Sequence, residues 1–404
     1  MNIDQQVAYL MQGTQYGDDG LKQAMTAELR QRLVEAETAG RPLRVYCGFD
    51  PRTADLHLGH TVPMRKLRQF QELGHQVVFL IGNYTSLIGD PSDQDRLRPQ
   101  LTAEEVDQNA RTYAQQAFKV LDPEKTEIKH NAAWLSELSF LDLIGLASNF
   151  TIQQFLTREN FAKRFEKGDA IYLHETFYSI MQGYDATALD CDVQVGGTDQ
   201  LFNIVTAARK IMTALGKKPN IAIILDILPG TDGEVKMSKS LGNHIPLLAG
   251  PEDMFGKVMS VPDKAMPYFF RLVTRWRPDE ISIKEAGLAD GSLHPRDVKM
   301  ELAREIVSIY HNPQAAVDAQ AVFIRVFREG EAPQEMAEFR LIEGLSVLDV
   351  LMKGGLVESR NEGRRLIQQN GVRLDGVTLN DPQAVFPGPG VLQIGKRKFL
   401  RITL

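Results

Sequence analysis

Short apolar runs alternate with longer stretches of helical spacing between residues 43 and 228. Apolar strands separated by helices are typical of a parallel sheet that is covered on both faces. Ligands of such sheets bind beyond the carboxyl ends of the strands, so we expect unusual polar residues to follow the strands. The strand-like runs are 43–50, 76–82, 126–131, 189–196 and 221–228, and the helical stretches include 59–73, 102–120 and 200–215.

The strand pattern fades after residue 245. Residues 298–311 and 313–329 favour helices, whereas 328–340 are charged, contain Pro333 and lack an apolar face, which indicates a linker. A small unit follows. Its predicted helices are 345–355 and 359–369, and its predicted strands are 371–379 and 391–404.

Composition and charge exclude several classes of protein. The 404 residues are 43% hydrophobic and 24% charged, which is ordinary for a globular chain and too long for one compact domain. No apolar stretch approaches about 18 residues, so we expect no membrane association through a spanning helix, and no signal peptide is visible. Two cysteines, Cys47 and Cys191, exclude a disulfide framework and a four-cysteine metal site. A reducing cytoplasm is the expected compartment.

Charge is unevenly distributed along the chain, whose formal net charge is −6. Residues 341–404 contain nine basic and six acidic residues, so the rest of the chain is strongly acidic. A basic end on an acidic body favours a local contact with a polyanion. Chance scatter of charge is the alternative, and charge alone does not decide between the two.

Two histidines follow the first predicted strand, within the sequence DPRTADLHLGH of residues 50–60. His57 and His60 are three residues apart, so they share a face of a helix that begins near Gly59. A helix N-terminus offers free N–H groups to phosphate, and the two imidazoles can donate further hydrogen bonds. Gly59 also leaves room for a flat base against the backbone. Surface histidines beside a helix cap are the structural alternative.

A second basic motif, KMSKS, follows the fifth predicted strand. Lys236 and Lys239 are three residues apart on a predicted loop, and two compact ammonium groups suit a polyphosphate. A solvated basic loop is the alternative for this motif alone. Because both motifs follow strands of one parallel sheet, together they predict a polyphosphate site with one motif on each side.

Three further segments are unusually polar. Asp90 follows the second predicted strand and can pair with an α-ammonium group. Tyr178, Gln182 and Asp185 lie at i, i+4 and i+7, which is one face of a helix. The sequence VGGTDQ of residues 195–200 combines a carboxylate with glycines that permit close backbone approach. A turn aspartate, a capped helix and a Gly-Gly bend are the structural alternatives.

The two basic motifs resemble the HIGH and KMSKS motifs of class I aminoacyl-tRNA synthetases, with Leu58 in place of the isoleucine of the first. The sequences YCGFDP (46–51), GDP (89–91), YxxxQxxD (178–185) and VGGxDQ (195–200) resemble the tyrosyl-tRNA synthetase family in particular. The resemblance covers nearly the whole chain. It implies that ATP activates L-tyrosine to tyrosyl-adenylate with release of pyrophosphate, and that tyrosine then passes to the 3′ end of tRNA(Tyr).

The resemblance also assigns roles to single residues. It implies that catalysis and ATP binding depend on His57, His60, Lys236 and Lys239, and that further ATP contacts come from Asp50, Gly59, Gly197 and Asp199. It implies that tyrosine is bound by Tyr46, Asp90, Tyr178, Gln182, Asp185 and Gln200. Within that set, the phenol falls to Tyr46 and Asp185, and the α-ammonium to Asp90, Tyr178 and Gln182. Mg²⁺ is expected to arrive with ATP, because no all-protein metal cage is visible.

One segment departs from the family pattern. Many relatives have a lysine shortly after the GDP sequence, where this chain has DQDR at residues 93–96. Arg96 and Arg98 are the candidates for that role, and which basic residue contacts pyrophosphate stays open.

The last unit resembles the small RNA-binding domain named after the fourth small-subunit ribosomal protein, with the match running from Leu345 to Asp381. Arginines on one helix face can bind phosphates bidentately. The resemblance implies that tRNA is contacted by Arg360, Arg364, Arg365, Lys396 and Arg397. Without it, a helix with a solvated charged face would be the simpler interpretation.

We therefore predict an α/β protein of three domains that forms a homodimer. The domains are a Rossmann-like, doubly wound catalytic domain at 1–245, a helical domain with a linker at 246–340, and a small α+β RNA-binding domain at 341–404. Family resemblance implies dimer contacts from about 130–175. A tryptophanyl-tRNA synthetase is the near alternative, which the phenol-binding pair and the last unit argue against. An RNA-binding regulator on an inactive synthetase fold is the other, which the intact basic motifs argue against.

Overall fold

The chain forms two compact units, Met1–Ala316 and Val317–Leu404. The predicted division of the first unit at residue 245 stays a prediction. The computed structural model describes residues 1–51, 55–91, 102–326, 336–342, 344–357, 359–395 and 398–404. Four residues predicted to contact phosphate or tRNA lie outside the described residues: Arg96, Arg98, Lys396 and Arg397.

The first unit alternates strands and helices. Its strands are β1 Arg44–Phe49, β2 Gln76–Ile81, β3 Thr126–His130, β4 Val193–Gly197 and β5 Ile221–Leu225. Its helices up to the fifth strand are α1 Ile3–Met11, α2 Asp19–Thr38, α3 Leu58–Glu72, α4 Thr85–Ile88, α5 Ala103–Ala117, α6 Ala132–Leu135, α7 Phe140–Ala147, α8 Ile152–Leu156, α9 Glu159–Lys167, α10 Leu173–Ala188 and α11 Arg209–Ala214. A π-helix, Phe202–Ala208, runs directly into α11. The helices that follow are α12 Pro251–Met259, α13 Met266–Val273, α14 Pro278–Asp290, α15 Pro295–Tyr310 and α16 Pro313–Ile324, and α16 begins in the first unit and continues into the second.

The five strands form one parallel sheet in the order β3-β2-β1-β4-β5. β1 pairs with β2 along its whole length and with β4 at Val45 and Tyr46. Strands β2 and β3 lie on one side of β1, and β4 and β5 lie on the other. Where the strand order reverses in this way, a crevice opens at the carboxyl ends of the two central strands, here β1 and β4. The predicted α/β fold with a parallel sheet is confirmed. The fourth strand begins later than predicted, at Val193, because residues 189–191 form the turn that ends α10.

The second unit is a small mixed sheet with two helices. Its elements are α17 Val347–Lys353, α18 Arg360–Gln368, β6 Glu338–Arg340, β7 Val372–Leu374, β8 Val377–Thr378, β9 Gly390–Ile394 and β10 Lys398–Thr403. The sheet order is β6-β10-β9-β7-β8, and an apolar core lies between this sheet and the helices. Among the helices that the structure describes in both units, none is long and apolar enough for a membrane span.

Two predictions for this region are wrong in detail. Residues 338–340 are not linker, because they form β6 and pair with β10 in parallel, with Phe339 packed on the core. The predicted strand at 371–379 is a hairpin whose turn residues Asp375 and Gly376 have φ of 46° and 82°. An Asp-Gly pair favours such a two-residue turn. The run at 391–404 also contains two antiparallel strands, β9 and β10, rather than one.

Candidate functional site

A cavity of about 720 Å³ lies at the carboxyl ends of β1 and β4, where the sheet order predicts a ligand site. The residues predicted for tyrosine and ATP converge there, with the exception of Lys239. Those lining the cavity are Tyr46, Asp50, His57, Gly59, His60, Asp90, Tyr178, Gln182, Asp185, Gly197, Asp199, Gln200 and Lys236. Residues from β1, α3, α10, β4, the turn after β4 and the loops after β1, α4 and β5 are therefore brought together by the topology of one sheet.

A buried carboxyl and a buried hydroxyl mark one end of the cavity. Asp185 Oδ1 accepts a hydrogen bond from Trp134 Nε1 at 2.7 Å, and its Oδ2 accepts one from Asn131 Nδ2 at 3.2 Å. Burial nevertheless raises the pKa of Asp185 to about 7. Tyr46 is fully buried, and its hydroxyl has no hydrogen-bond partner among the described residues. Burial raises the pKa of Tyr46 well above its ordinary value, with Asp185 contributing, so the phenol stays protonated beside an ionisable carboxyl.

A second carboxylate, Asp50, lies where β1 ends. Its Oδ1 accepts from Thr85 Oγ1 at 2.8 Å, and its Oδ2 accepts from Tyr178 OH at 3.1 Å. The close approach depends on Gly82, since a Cβ at that position would lie 2.2 Å from Asp50 Oδ1. Burial and the Asp50 charge raise the pKa of Tyr178, so its hydroxyl acts as a donor. The loop after β1 is thus fixed to α10.

A third group of polar side chains follows β2 and β4. Gln200 Nε2 donates to Asp90 Oδ2 at 2.6 Å and to Asp199 Oδ2 at 3.2 Å. Gln182 Oε1 is buried and has no hydrogen-bond partner within the described ranges. Leaving a buried acceptor unpaired costs free energy, which is typical of a site that a ligand completes.

The two histidines cap the N-terminus of α3. His57 Nδ1 accepts from the Gly59 N–H at 3.2 Å, and His60 Nδ1 accepts from the His57 N–H at 3.2 Å. Their ring centroids are 3.9 Å apart. Burial lowers the pKa of His57 to about 3 and that of His60 to about 4, with Lys236 adding to both shifts. Both rings are therefore neutral at pH 7, and each carries its proton on Nε2, where it can be donated.

The KMSKS segment lies beside this helix terminus. Leu58 N–H donates to Ile245 O at 3.0 Å, and Leu247 N–H donates to Leu56 O at 2.9 Å, so the chain that follows the lysine loop is tied to the chain that precedes α3. The predicted neighbourhood of the two motifs is therefore present, and Lys236 lines the cavity. Met237 lies between the lysines and is buried.

Lys239, the second lysine of the motif, does not line the cavity. Its ammonium forms an exposed ion pair with Asp55 Oδ2 at 2.7 Å, and the Lys239 side chain is 63% exposed. Exposed pairs of this kind contribute little free energy. The pair therefore holds the lysine only weakly, and a polyanion competes with Asp55 at low cost.

Potential metal ligands are scattered rather than clustered. Within the ranges that the structure describes, no three His, Cys, Asp or Glu side chains form a group that could hold a metal ion.

In the second unit, the arginines of α18 are exposed. Arg360, Arg364 and Arg365 face solvent, whereas Gly363 and Ile367 of the same helix are buried. Arg360 donates to Asp349 Oδ1 at 2.6 Å. The helix therefore presents basic side chains on its outer face, as the sequence predicts.

Comparisons with known proteins agree with this architecture. Residues 38–328 match the family model described as tRNA synthetases class I (W and Y), which by itself does not separate the tryptophan enzymes from the tyrosine enzymes. The chain is 48% identical over 379 residues to a tyrosine–tRNA ligase of Moorella thermoacetica, covering 93% of this chain and 91% of that protein. It is 42% identical over 408 residues to that of Geobacter sulfurreducens, covering all of both chains.

The chain belongs to the tyrosyl-tRNA synthetase family. A crystal structure of tyrosyl-tRNA synthetase from Archaeoglobus fulgidus, complexed with L-tyrosine, shares the fold with a TM-score of 0.60. That structure is 22% identical to this chain and covers 79% of it and 100% of its own length, so it supports the fold alone.

Sequence reasoning on this synthetase missed three residues that position the cavity carboxylates. Asn131 and Trp134 both donate to Asp185, and Thr85 donates to Asp50, but only Asn131 and Thr85 line the cavity. Asn131 directly follows β3, so the rule that polar residues follow strands could have found it. Trp134 gave no such signal, because a single tryptophan near a short helix is usually a core residue.

Proposed function

We propose that the chain is a tyrosine–tRNA ligase that activates L-tyrosine with ATP and then charges tRNA(Tyr). The observation that carries this proposal is the buried pair at one end of the cavity. No described residue pairs with the Tyr46 hydroxyl, and the Asp185 carboxyl keeps acceptor capacity beyond its two donors. The phenol O–H of tyrosine can donate to the Asp185 carboxyl, while the phenol oxygen accepts from the Tyr46 hydroxyl. One substrate hydroxyl thereby supplies both buried groups with a hydrogen-bond partner.

The α-ammonium of the substrate is assigned to Asp90, Tyr178 and Gln182. All three line the same cavity as the phenol-binding pair, and the buried Gln182 Oε1 is an acceptor that an ammonium group satisfies. A carboxylate adds charge complementarity, which strengthens such a hydrogen bond. The amino acid is thereby held at its two ends, and its carboxylate stays available for reaction.

The α-phosphate of ATP is attacked in line by the tyrosine carboxylate, and pyrophosphate leaves. No protein nucleophile takes part, so the chain contributes positioning and charge stabilisation. These tasks are assigned to the neutral Nε2–H groups of His57 and His60, the N-terminus of α3, and the ammonium groups of Lys236 and Lys239. Contacts to the rest of the adenylate are assigned to Asp50, Gly59, Gly197 and Asp199. Gln200 orients Asp90 and Asp199 beside them.

Mg²⁺ is proposed to enter as part of the ATP substrate. The phosphate oxygens of ATP are hard ligands of the type that Mg²⁺ prefers, and Mg²⁺ bound to a nucleotide needs few protein ligands.

The transfer step is assigned to both units. A terminal ribose hydroxyl of tRNA attacks the tyrosyl carbonyl in the cavity, and the exposed arginines of α18 bind backbone phosphates. Lys396 and Arg397 stay predicted contacts for the same surface.

A homodimer is proposed, with contacts from residues 130–175. This segment exposes large apolar side chains that a second copy of the chain can cover. The most exposed are Phe140, Leu141, Phe165, Leu173 and Ile152. The cytoplasm is the proposed compartment, because the thiols of Cys47 and Cys191 are free and buried.

Pyrophosphate exchange with each amino acid in turn tests the proposed function. We expect rapid exchange with L-tyrosine, and very slow exchange with L-phenylalanine because it leaves Tyr46 and Asp185 unpaired. L-tryptophan should also fail. Exchange driven by tryptophan rather than tyrosine would overturn the assignment, and charging of tRNA(Tyr) in the same preparation tests the second step.

A further inference from the structure

A chain of hydrogen bonds, buried at its start and partly buried where it reaches the cavity, runs from the segment before α9 to the cavity. Its members, here called the relay, are Arg158, Ser179, Asn203, Gln200 and Asp90. Arg158 Nη1 donates to Ser179 Oγ at 2.8 Å, and Ser179 Oγ donates to Asn203 Oδ1 at 2.8 Å. Asn203 Nδ2 donates to Gln200 Oε1 at 2.9 Å, and Gln200 Nε2 donates to Asp90 Oδ2 at 2.6 Å.

The direction of every bond in the relay is determined by its two ends. A guanidinium can only donate hydrogen bonds, and an ionised carboxylate can only accept them. The hydroxyl of Ser179 and the amides of Asn203 and Gln200 therefore have one orientation each that satisfies the whole chain. Both end bonds are charge-assisted, and successive bonds in a buried chain polarise one another.

Arg158 is placed where a cation is expensive. It is 5% exposed, and its guanidinium carbon lies 4.9 Å from the Phe161 ring centroid and 5.4 Å from that of Phe202. Burial lowers the pKa of Arg158, but nearby anionic groups, Asp90 first among them, act in the opposite direction. A cation buried between aromatic rings and facing carboxylates is typical of a charge that balances a specific anionic site.

The cavity needs such a balance. Among the described residues, five carboxyl groups line it: Asp50, Asp90, Asp185, Asp199 and Asp226. Like charges around one cavity repel one another, which favours rotation of each carboxylate toward whichever donor is at hand. Gln200 prevents that rotation at Asp90, because its amide donates to Asp90 Oδ2. The carboxylate plane is then fixed, and so is the position of Oδ1.

We propose that Arg158 is a positioning residue of the amino-acid site, which acts through the relay to hold the Asp90 carboxylate toward the α-ammonium of the substrate. The inference rests on the proposed function, since it assumes that the cavity binds tyrosine with its ammonium at Asp90. It adds a residue from the proposed dimer segment to the amino-acid site, although that residue does not line the cavity.

Removal of Arg158 has two opposing effects. Loss of a cation makes the cavity more negative, which favours an ammonium ligand, whereas loss of the relay releases Asp90, which disfavours it. Three polar side chains separate the guanidinium from Asp90, but Gln200 touches that carboxylate at 2.6 Å, so we expect placement to dominate. Ser179→Ala separates the effects, because it interrupts the relay and keeps the cation.

The test measures equilibrium binding of three ligands to the full-length chain. L-tyrosine and tyramine both carry the ammonium group, and 3-(4-hydroxyphenyl)propionate lacks it. In Arg158→Met and Ser179→Ala we expect affinity for tyrosine and tyramine to fall about tenfold, the loss typical of one weakened hydrogen bond to a charged group. Affinity for the propionate should stay unchanged in Ser179→Ala, which keeps the cation, and should fall less than that for tyrosine in Arg158→Met, where the lost cation disfavours an anion. Arg158→Lys, which keeps a buried donor cation, should recover part of the tyrosine affinity.

Arg164→Met is the matched control. Arg164 is also buried, also lies near the Phe161 ring at 5.7 Å, and pairs with Glu175 outside the relay. Its replacement should change the melting temperature and affect the three ligands equally. If Arg158→Met does not fold, Ser179→Ala decides by the same comparison.

Three results would overturn the inference: unchanged tyrosine affinity in a folded relay variant, equal loss for all three ligands, or tighter binding of tyrosine. Failure of the parent chain to bind tyrosine would instead refute the proposed function, so the two failures are distinguishable.

Discussion

In the first unit, polar side chains lie inside the protein around the cavity, whereas in the second unit they lie outside an apolar core. Asp185, Gln194 and Asn203 are buried in the first unit. In the described part of the chain, every buried polar or charged side chain precedes residue 300, so the second unit contributes none. Its core consists of aliphatic residues and Phe386, and the arginines of α18 face solvent.

The difference follows from the ligands that we propose for each unit. A small zwitterion is distinguished from close analogues only when it is surrounded, so its hydrogen-bond partners must be buried and fixed. A nucleic acid backbone is a large, hydrated polyanion, and exposed cations attract it without leaving water. Substitutions in the first unit should therefore change specificity and rate, whereas those on α18 should change affinity in a salt-dependent way.

The largest expected effect is on the rate of adenylate formation. Lys239→Ala should slow pyrophosphate exchange by about 100- to 1000-fold, the usual cost of removing one group that stabilises transition-state charge. The KM for tyrosine should stay unchanged, because this lysine pairs with Asp55 and not with the amino-acid site. Steady-state exchange kinetics measure both constants.

Lys264→Ala is the control for that substitution. Lys264 is 60% exposed and pairs with Glu234, so it matches Lys239 in exposure and pairing but carries no assigned role. Equal loss in both variants would mean that the effect is structural.

Substitutions at the phenol end should have the next largest effect. Asp185→Asn should raise the KM for tyrosine by about 10- to 100-fold, and Tyr46→Phe by about threefold to tenfold, since a bond to a charged group is stronger than a neutral one. Tyr16→Phe is the matched control, because the Tyr16 hydroxyl is also buried but donates to Ala222 O at 2.6 Å. It should lower stability without changing the KM. A stability loss in Tyr46→Phe as large as that in Tyr16→Phe would contradict an unpaired hydroxyl.

The pH dependence of tyrosine binding should be moderate. Asp185 has a pKa of about 7, and its ionised form is the better acceptor for a phenol, so tyrosine affinity should rise with pH up to about 7 and then level off. Asp185→Asn should remove this dependence between pH 5.5 and 8. A flat profile in the parent chain would refute the assigned acceptor.

Stability provides an independent check on the same group. Asp185 binds its proton more tightly in the folded protein, so its contribution to stability is full below the pKa of the unfolded carboxyl, about 3.9, and is lost as the pH rises through about 7. His57 and His60 act oppositely, since their lowered pKa values give stability that is lost as the pH falls from about 6.5 toward 3 to 4. Urea unfolding of Asp185→Asn and the parent at pH 5 and 8 isolates the carboxyl, and we expect the variant to gain relative stability at pH 8.

The smallest effect is expected in the second unit. Arg364→Gln together with Arg365→Gln should weaken tRNA binding and lower its salt dependence by about one unit of slope for each phosphate that an arginine no longer neutralises. The double control Arg30→Gln and Arg296→Gln also removes two exposed arginines, from the first unit. Pyrophosphate exchange should be unchanged in both proteins. Loss of exchange in the α18 variant would refute the division of tasks between the units.

Two kinds of site residue were predictable from the sequence: those spaced to share one face of a helix, and those that directly follow a strand. Tyr178, Gln182 and Asp185 share a face of α10 as their spacing predicts, and the basic motifs follow β1 and β5. The relay was not predictable, because the position of Asn203 depends on the π-helix at 202–208, and periodicity cannot distinguish a π-helix from an α-helix.

Contacts between residues that are far apart in the chain could not be predicted from the sequence either. Lys239 and Asp55 are separated by 184 residues, and no local pattern joins them. Glu338–Arg340 gave no strand signal, because three residues with one apolar side chain are too short for an alternating pattern to be recognised. Pairing with β10 decides its conformation instead.

Residues 226–244, which contain Lys236 and Lys239, form a loop that is anchored at both ends. Strand β5, which ends at Leu225, anchors one end, and the hydrogen bonds between residues 245–247 and 56–58 anchor the other. Each ammonium can therefore sample only a small volume near the mouth of the cavity, which corresponds to a high effective concentration. Doubling the length of such a loop costs only about 0.6 kcal/mol of closure entropy, so insertions there would leave the fold nearly as stable. They would dilute the lysines over a larger volume, and catalysis would weaken while unfolding measurements stayed almost the same.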